Sequence, residues 1–149
     1  MQLARGGHFD VIVHGCNCFN SFGAGIALAI KKSFPTAYYA DQKTPKGASE
    51  KLGTYSSAKV PVLGGTKELT VVNAYTQYRF SGAGFLVDYE AVRKVFAAVR
   101  TNFEGARIGY PKIGAGLARG DWTVLSKIID EELVGADHTL VEYSPSPGS

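Results

Sequence analysis

Residues 10–34, DVIVHGCNCFNSFGAGIALAIKKSF, read as a strand, a glycine-rich loop and a helix in immediate succession. Residues 10–14 are a short β-branched run, the composition of a buried strand. The segment from Gly15 to Gly25 is rich in glycine and asparagine, which favour turns over regular structure. Ile26, Ala27, Ala29, Ile30 and Phe34 then recur at helical spacing, Lys31 and Lys32 fall in the last turn, and Pro35 ends the helix. A loop that opens onto a helix N-terminus gathers unpaired N–H groups and the positive end of the helix dipole. Both favour an anion such as phosphate.

A single Gly-Ala-Gly is weak evidence, because glycine often serves geometry alone. Here Gly114-Ala115-Gly116 follows a second short apolar run, residues 107–110, and precedes a second helical pattern starting near Asp121. Two glycine loops at the carboxyl ends of strands predict one crevice holding two phosphates, where open α/β sheets bind ligands.

The chain has 149 residues, 45% hydrophobic and 19% charged, enough for one domain, residues 1–149, with an ordinary core. Residues 1–9 are short, polar and unpatterned, and residues 144–149 read as a frayed tail, so both are expected to be peripheral. No long apolar run and no signal-peptide pattern occur, so the expectation is a soluble, cytoplasmic protein with no membrane partner. The net charge of +3 suits a small anionic ligand but is too slight, with basic residues scattered, to point to nucleic acid. Cys16 and Cys18 sit too close for an ordinary disulfide, and with His14 they still lack a fourth ligand, so no metal is expected. They read as small buried residues in a reduced compartment.

Along the rest of the chain, residues 35–42 predict a short helix with proline at its first position. Residues 44–53 read as a solvated connection. Residues 54–60 and 69–75 predict two strands joined by an antiparallel turn at 63–68. A third Gly-Ala-Gly, at 82–84, precedes a helix capped by Asp88 with Val92, Val95, Phe96 and Val99 on its apolar face. Asp121 caps the last helix, whose Trp122, Leu125, Ile129 and Leu133 face inward and which Gly135 ends, and residues 138–143 form the final strand. Strands alternating with helices predict a mixed sheet between helical layers.

Residues 11–17 (VIVHGCN), 23–27 (GAGIA), 111–117 (PKIGAGL) and Asp121-Trp122 together resemble the macro domain, nearest to ADP-ribose-1″-phosphate-processing proteins and terminal ADP-ribose glycohydrolases. The resemblance implies a three-layer α/β/α macro-type fold with a mixed sheet. It also implies a ligand, ADP-ribose or ADP-ribose-1″-phosphate, free or as an ADP-ribosylated protein, with no cofactor. Asn17 matches the asparagine that hydrogen-bonds the distal ribose. Gly23, Ala24, Gly25 and Ile26 match the first diphosphate loop; Ile113, Gly114, Ala115, Gly116 and Leu117 match the second; Ser21 and Tyr75 complete the implied ligand-binding set. Asn17 and His14 are the implied catalytic pair, His14 as acid or base.

Two departures from the family pattern follow. The family's Gly-Asp pair on an N-terminal strand, whose aspartate contacts adenine, has no counterpart in residues 1–9, so that edge strand is expected to be missing. The glycohydrolases use a lysine ahead of the Asp88-like helix and an aspartate just after the second loop. Here no lysine lies between Ser81 and Asp88, and Ala118 stands at the aspartate's place. Three functions therefore stay open: a hydrolase or phosphatase acting on ADP-ribose-1″-phosphate or ADP-ribosyl esters, a non-catalytic ADP-ribose reader, and an interaction protein that keeps the fold without the ligand.

Overall fold

Strand β1, Val11–Cys16, is paired along both edges, and the rest of the molecule is layered around it. In the computed structural model, which describes residues 2–142 apart from 83, 85 and 117, it lies parallel to β3 (Lys67–Tyr75) on one side. On the other it lies parallel to β4 (Arg107–Tyr110). Antiparallel β2 (Tyr55–Val62) closes the β3 side and parallel β5 (Asp137–Leu140) the β4 side, giving the order β2-β3-β1-β4-β5. A strand covered on both faces needs apolar residues at consecutive positions, and Val11, Ile12 and Val13 are all buried.

The strand is longer than the sequence pattern implied. Gly15 and Cys16 continue it, held opposite Ala74 and Tyr75, because pairing with β3 outweighs the turn preference of a glycine. The residues ahead of β1, read as unpatterned, include a one-turn helix α1, Gln2–Arg5, with Ala4 buried. Among the described residues they add no strand, and β2 and β5 are the sheet edges. Residues 44–53 contain a 3₁₀ turn, Ser49–Lys51. The last strand begins at Asp137 and ends at Leu140; Tyr143 lies outside the described residues.

Helices α2 (Gly25–Ser33) and α3 (Pro35–Gln42) cover one face, burying Ile30, Phe34 and Ala37 against Ile12, Leu69 and Val71. Helices α4 (Tyr89–Asn102) and α5 (Trp122–Glu132) cover the other with Val92, Val95, Phe96, Val99, Leu125 and Ile129. The expected three layers and the expected apolar faces are therefore present, although Trp122 is only half-buried at the rim of its cluster. Asp88 and Asp121 cap their helices as read, accepting hydrogen bonds from the Ala91 and Thr123 amides at 2.9 Å.

At the start of β1 the carboxylate of Asp10 accepts hydrogen bonds from the Arg107 amide, Nε and Nη2 at 2.8, 3.1 and 3.0 Å. These bonds hold its pKa below the usual carboxylate value. Asp10 thus pins β1 to β4 at the end of the sheet opposite the glycine loops.

Phe96 is fully buried between sheet and helix, so Phe96→Ala should cost about 3–5 kcal/mol through lost burial and a cavity. Asp88→Ala removes only a cap and should cost about 1 kcal/mol. Urea unfolding followed by the fluorescence of the single tryptophan, Trp122, measures both.

Candidate ligand-binding crevice

Parallel strands β1, β3 and β4 end on the same edge of the sheet, so the segments after them, 17–24, 76–88 and 111–121, meet there. From adjacent β1 and β4 the chain leaves to opposite faces, α2 packing on one and α5 on the other. Such a divergence opens a crevice between the two departing loops, the place where α/β sheets bind ligands.

The first wall is residues 17–24. Asn17 is nearly buried, its Oδ1 accepting from the Phe19 amide at 2.8 Å and its Nδ2 donating to the Ser21 carbonyl at 3.1 Å. These bonds shape the loop and still leave one N–H and one lone pair of the amide for a ligand. Gly23, Ala24 and Gly25 are exposed and Ile26 is half-buried. Helix α2 starts at Gly25 with no side-chain cap at Ala24, so its first amides face outward without an acceptor from a side chain. Gly25 has φ of 60°, a left-handed value that a larger residue would strain to adopt.

The second wall is residues 111–121. Gly114, at φ of 77°, sits so close to Val87 that a Cβ would lie 2.5 Å from its Cγ2, and the Gly114 carbonyl accepts from the Gly120 amide at 2.6 Å. Ile113 is buried against the end of β1, whereas Ala115 is half-buried and Gly116 is exposed with open space where a side chain would go. Leu117 lies outside the described residues. Arg119 donates to the carbonyls of Gly82 and Gly84 at 2.8 and 2.7 Å, joining this wall to the third glycine loop. Ala118 is buried, its carbonyl accepting from the Leu86 amide, so the position where the family's aspartate was expected is filled by a methyl group in the core.

His14 and Tyr75 do not face the crevice. His14 is 1% exposed within the sheet, with Nε2 2.7 Å from Asn73 Oδ1 and its ring edge-on to Phe22. Burial lowers its pKa to about 4, against the weaker opposing effect of the Asn73 hydrogen bond, so it is neutral near pH 7. That geometry fits a structural histidine better than an acid or base. The Tyr75 hydroxyl donates to Asp41 Oδ1 at 2.7 Å and meets Ser56 Oγ at 2.7 Å, beneath the first loop. Burial raises its pKa well above the phenol value. Cys16 and Cys18 are free, buried and raised in pKa by that burial, as expected of packing residues.

Sequence reasoning missed two residues. Lys51, read as part of a solvated connection, is buried; its Nζ donates to the Cys18 carbonyl at 3.2 Å and to Asn20 Oδ1, and lies 4.7 Å over the Tyr75 ring. It holds the back of the first wall, and no local pattern distinguishes it from an exposed lysine. Thr76, just past β3, is fully buried beside Gly15, and its hydroxyl has no hydrogen-bond partner among the described residues. The described residues include no cluster of His, Cys, Asp or Glu able to hold a metal ion. No described helix is long and apolar enough to cross a membrane.

His14 makes stability depend on pH with a defined sign. Its pKa is lowered on folding, so on acidification the unfolded chain takes up the proton first, and stability falls as pH drops from about 6.5 to about 4. The slope from this one group approaches about 1.4 kcal/mol per pH unit. Urea midpoints across that window should show it, and His14→Gln should flatten it.

No family model matches the chain. An uncharacterized 17.5 kDa protein of Enterobacteria phage T4 is 32% identical over 139 residues, covering 90% of this chain and 86% of that protein. The DNA ADP-ribosyl glycohydrolases of Mycobacterium bovis and Mycobacterium tuberculosis are 26% identical over 145 residues, and the match spans only 40% of their length. Among solved structures, a macrodomain protein from Streptomyces coelicolor superposes with a TM-score of 0.64 at 25% identity, covering 91% of this chain and 88% of that one. The macrodomain of Mycobacterium tuberculosis DarG reaches 0.69 at 20% identity, covering 96% and 93%. Thermosipho africanus DarTG in complex with ADP-ribose reaches 0.73 at 13% identity, covering 94% of this chain and 39% of that one, a likeness of fold. Two glycine walls at the ends of adjacent strands, on a mixed sheet like that of these structures, lead to one assignment: the chain has the macro domain fold.

Proposed function

We propose that this protein binds ADP-ribose, or the ADP-ribosyl end of a larger conjugate, in the crevice between residues 17–26 and 113–117. The observation that carries the reading is the divergence of the chain from β1 and β4 to opposite faces, with an uncapped helix N-terminus on one wall and an open glycine on the other. A diphosphate is long enough to engage both walls and needs only backbone N–H groups, which glycine leaves accessible. Asn17, fixed by its own loop, would offer its remaining N–H and lone pair to the distal ribose diol.

Hydrolysis of an ADP-ribosyl linkage is the second reading, favoured by the mycobacterial relatives, which are DNA ADP-ribosyl glycohydrolases. In that version the backbone would hold the diphosphate while water attacks C1″ of the distal ribose, the bond from C1″ to the linked group breaks, and the departing group takes up a proton as the attacking water loses one. Its acid or base would be a group other than His14, which is buried and neutral, and a covalent lysine route has no lysine in residues 81–88 to use. Turnover of ADP-ribose-1″-phosphate and of ADP-ribosylated oligonucleotide or protein distinguishes an enzyme from a reader.

The direct test is calorimetric titration with ADP-ribose. Gly116→Val fills open space without a strained backbone, so it should leave the unfolding midpoint unchanged. If it blocks one N–H bond to a charged phosphate, affinity should fall about tenfold to a hundredfold. Gly25→Val is the poorer probe, because its φ of 60° would add strain to any loss of binding. Unchanged ADP-ribose affinity in Gly116→Val would sink the two-wall assignment.

A further inference from the structure

The loop that carries Asn17 is held in a backbone conformation it would not adopt unaided. Asn20 has φ of 58°, a left-handed value that strains a residue other than glycine, although asparagine tolerates it better than most. Its side chain is tied at both ends. Nδ2 donates to the Thr44 carbonyl at 2.9 Å, and Oδ1 accepts from Lys51 Nζ. The same ammonium donates to the Cys18 carbonyl at 3.2 Å and lies 4.7 Å from the centre of the Tyr75 ring. Lysine is rarely buried, yet Lys51 is only 6% exposed and directs its donors into this one loop.

The orientation of the Asn17 amide is set by the same few residues. Its Oδ1 accepts from the Phe19 amide at 2.8 Å and its Nδ2 donates to the Ser21 carbonyl at 3.1 Å. Phe19 and Ser21 flank Asn20, so the φ of Asn20 decides where the Ser21 carbonyl lies relative to the Phe19 amide. With that it decides which way the remaining N–H and lone pair of Asn17 point. Cys18 and Asn20, the two residues that Lys51 holds, lie inside this bracket. The proposed diphosphate contacts lie outside it, in residues 23–26 and 113–117. The backbone of Lys51 is anchored separately, its carbonyl accepting from the Thr54 amide at 2.8 Å and the Thr54 hydroxyl at 2.6 Å. The 3₁₀ turn therefore does not depend on the ammonium.

We propose that Lys51 is a positioning residue that gives the crevice its selectivity for a diphosphate bearing a distal ribose over the same diphosphate without one. The proposal rests on the ADP-ribosyl reading above for one point, that the distal ribose lies beside Asn17. Lys51 acts through Asn20 and Asn17 and does not touch the ligand. Without the ammonium, Asn20 loses one of its two side-chain ties and the loop gains other conformations. Asn17 then presents its amide to the ribose only part of the time, and apparent affinity falls by that fraction. Backbone N–H groups outside the loop hold the diphosphate as before. Methionine, unbranched and adaptable, fills the space of the lysine stem without donating a hydrogen bond, so it isolates the ammonium.

The test titrates the full chain calorimetrically, at fixed salt, with ADP-ribose and with ADP, which shares the adenosine and diphosphate but lacks the distal ribose. Lys51→Met should weaken ADP-ribose binding about tenfold, the scale of one hydrogen bond, and leave ADP binding within about twofold. Asn20→Gly accepts φ of 58° without strain but offers Lys51 no acceptor, so it should shift the ratio of the two affinities the same way. It carries the test if Lys51→Met does not fold. An unchanged ratio in either folded variant would overturn the proposal. So would an equal loss for both ligands, the mark of a lysine that only stabilises the fold. Wild-type protein that binds neither ligand would sink the crevice reading itself, whereas variants that keep the ratio of a ligand-binding wild type sink the role of Lys51 alone.

Discussion

Everything in this protein depends on β1 being paired on both edges. Its backbone groups are taken up by β3 and β4, and both its faces are roofed by helices, which is why an uninterrupted Val-Ile-Val can sit there without exposing apolar surface. Because β1 is central, the chain must leave it toward one face and leave β4 toward the other, and the crevice is the gap between those two exits. Asp10 secures the opposite end of the same strand through Arg107. The site is therefore a consequence of strand order, with the glycines permitting close approach at a position that topology has already opened.

Beneath the first wall the core is not purely apolar. His14, Asn73, Ser56, Tyr75 and Asp41 form a continuous series of hydrogen bonds from β1 across β3 and β2 to α3. Such groups are costly to bury unless every member finds a partner, and when they do they specify one arrangement of the elements they join. Asp41 illustrates the balance. Desolvation raises its pKa most, and the Tyr75 hydrogen bond and the nearby Lys51 charge oppose that shift. Lys51 links this network to the site, since the same ammonium holds the Cys18 carbonyl and Asn20. The network braces the loop that carries Asn17.

A site assembled from backbone N–H groups has a chemical consequence. In the proposed reading it would hold phosphate without needing a particular charged side chain, so affinity for a diphosphate and competence to cleave a bond next to it are separable properties. In this chain the buried, neutral His14 and the methyl group of Ala118 leave the walls rich in donors and poor in titrating groups.

The helices, their caps and the buried faces were legible in the sequence because periodicity and capping are local properties. Val92, Val95, Phe96 and Val99 could face only one way, and Asp88 and Asp121 satisfied amides a few residues on. The two glycine walls were legible for the same reason, as strand–loop–helix junctions. What sequence alone could not decide were relations between distant segments. Gly15 and Cys16 looked like loop until β3 paired with them, and Lys51 looked solvated until the 3₁₀ turn carried it under Cys18. His14 was ambiguous until burial and Asn73 made it structural, and Tyr75 until Asp41 took its hydroxyl. Local propensity acts over a few residues, whereas burial and charge belong to whatever the folded chain brings together.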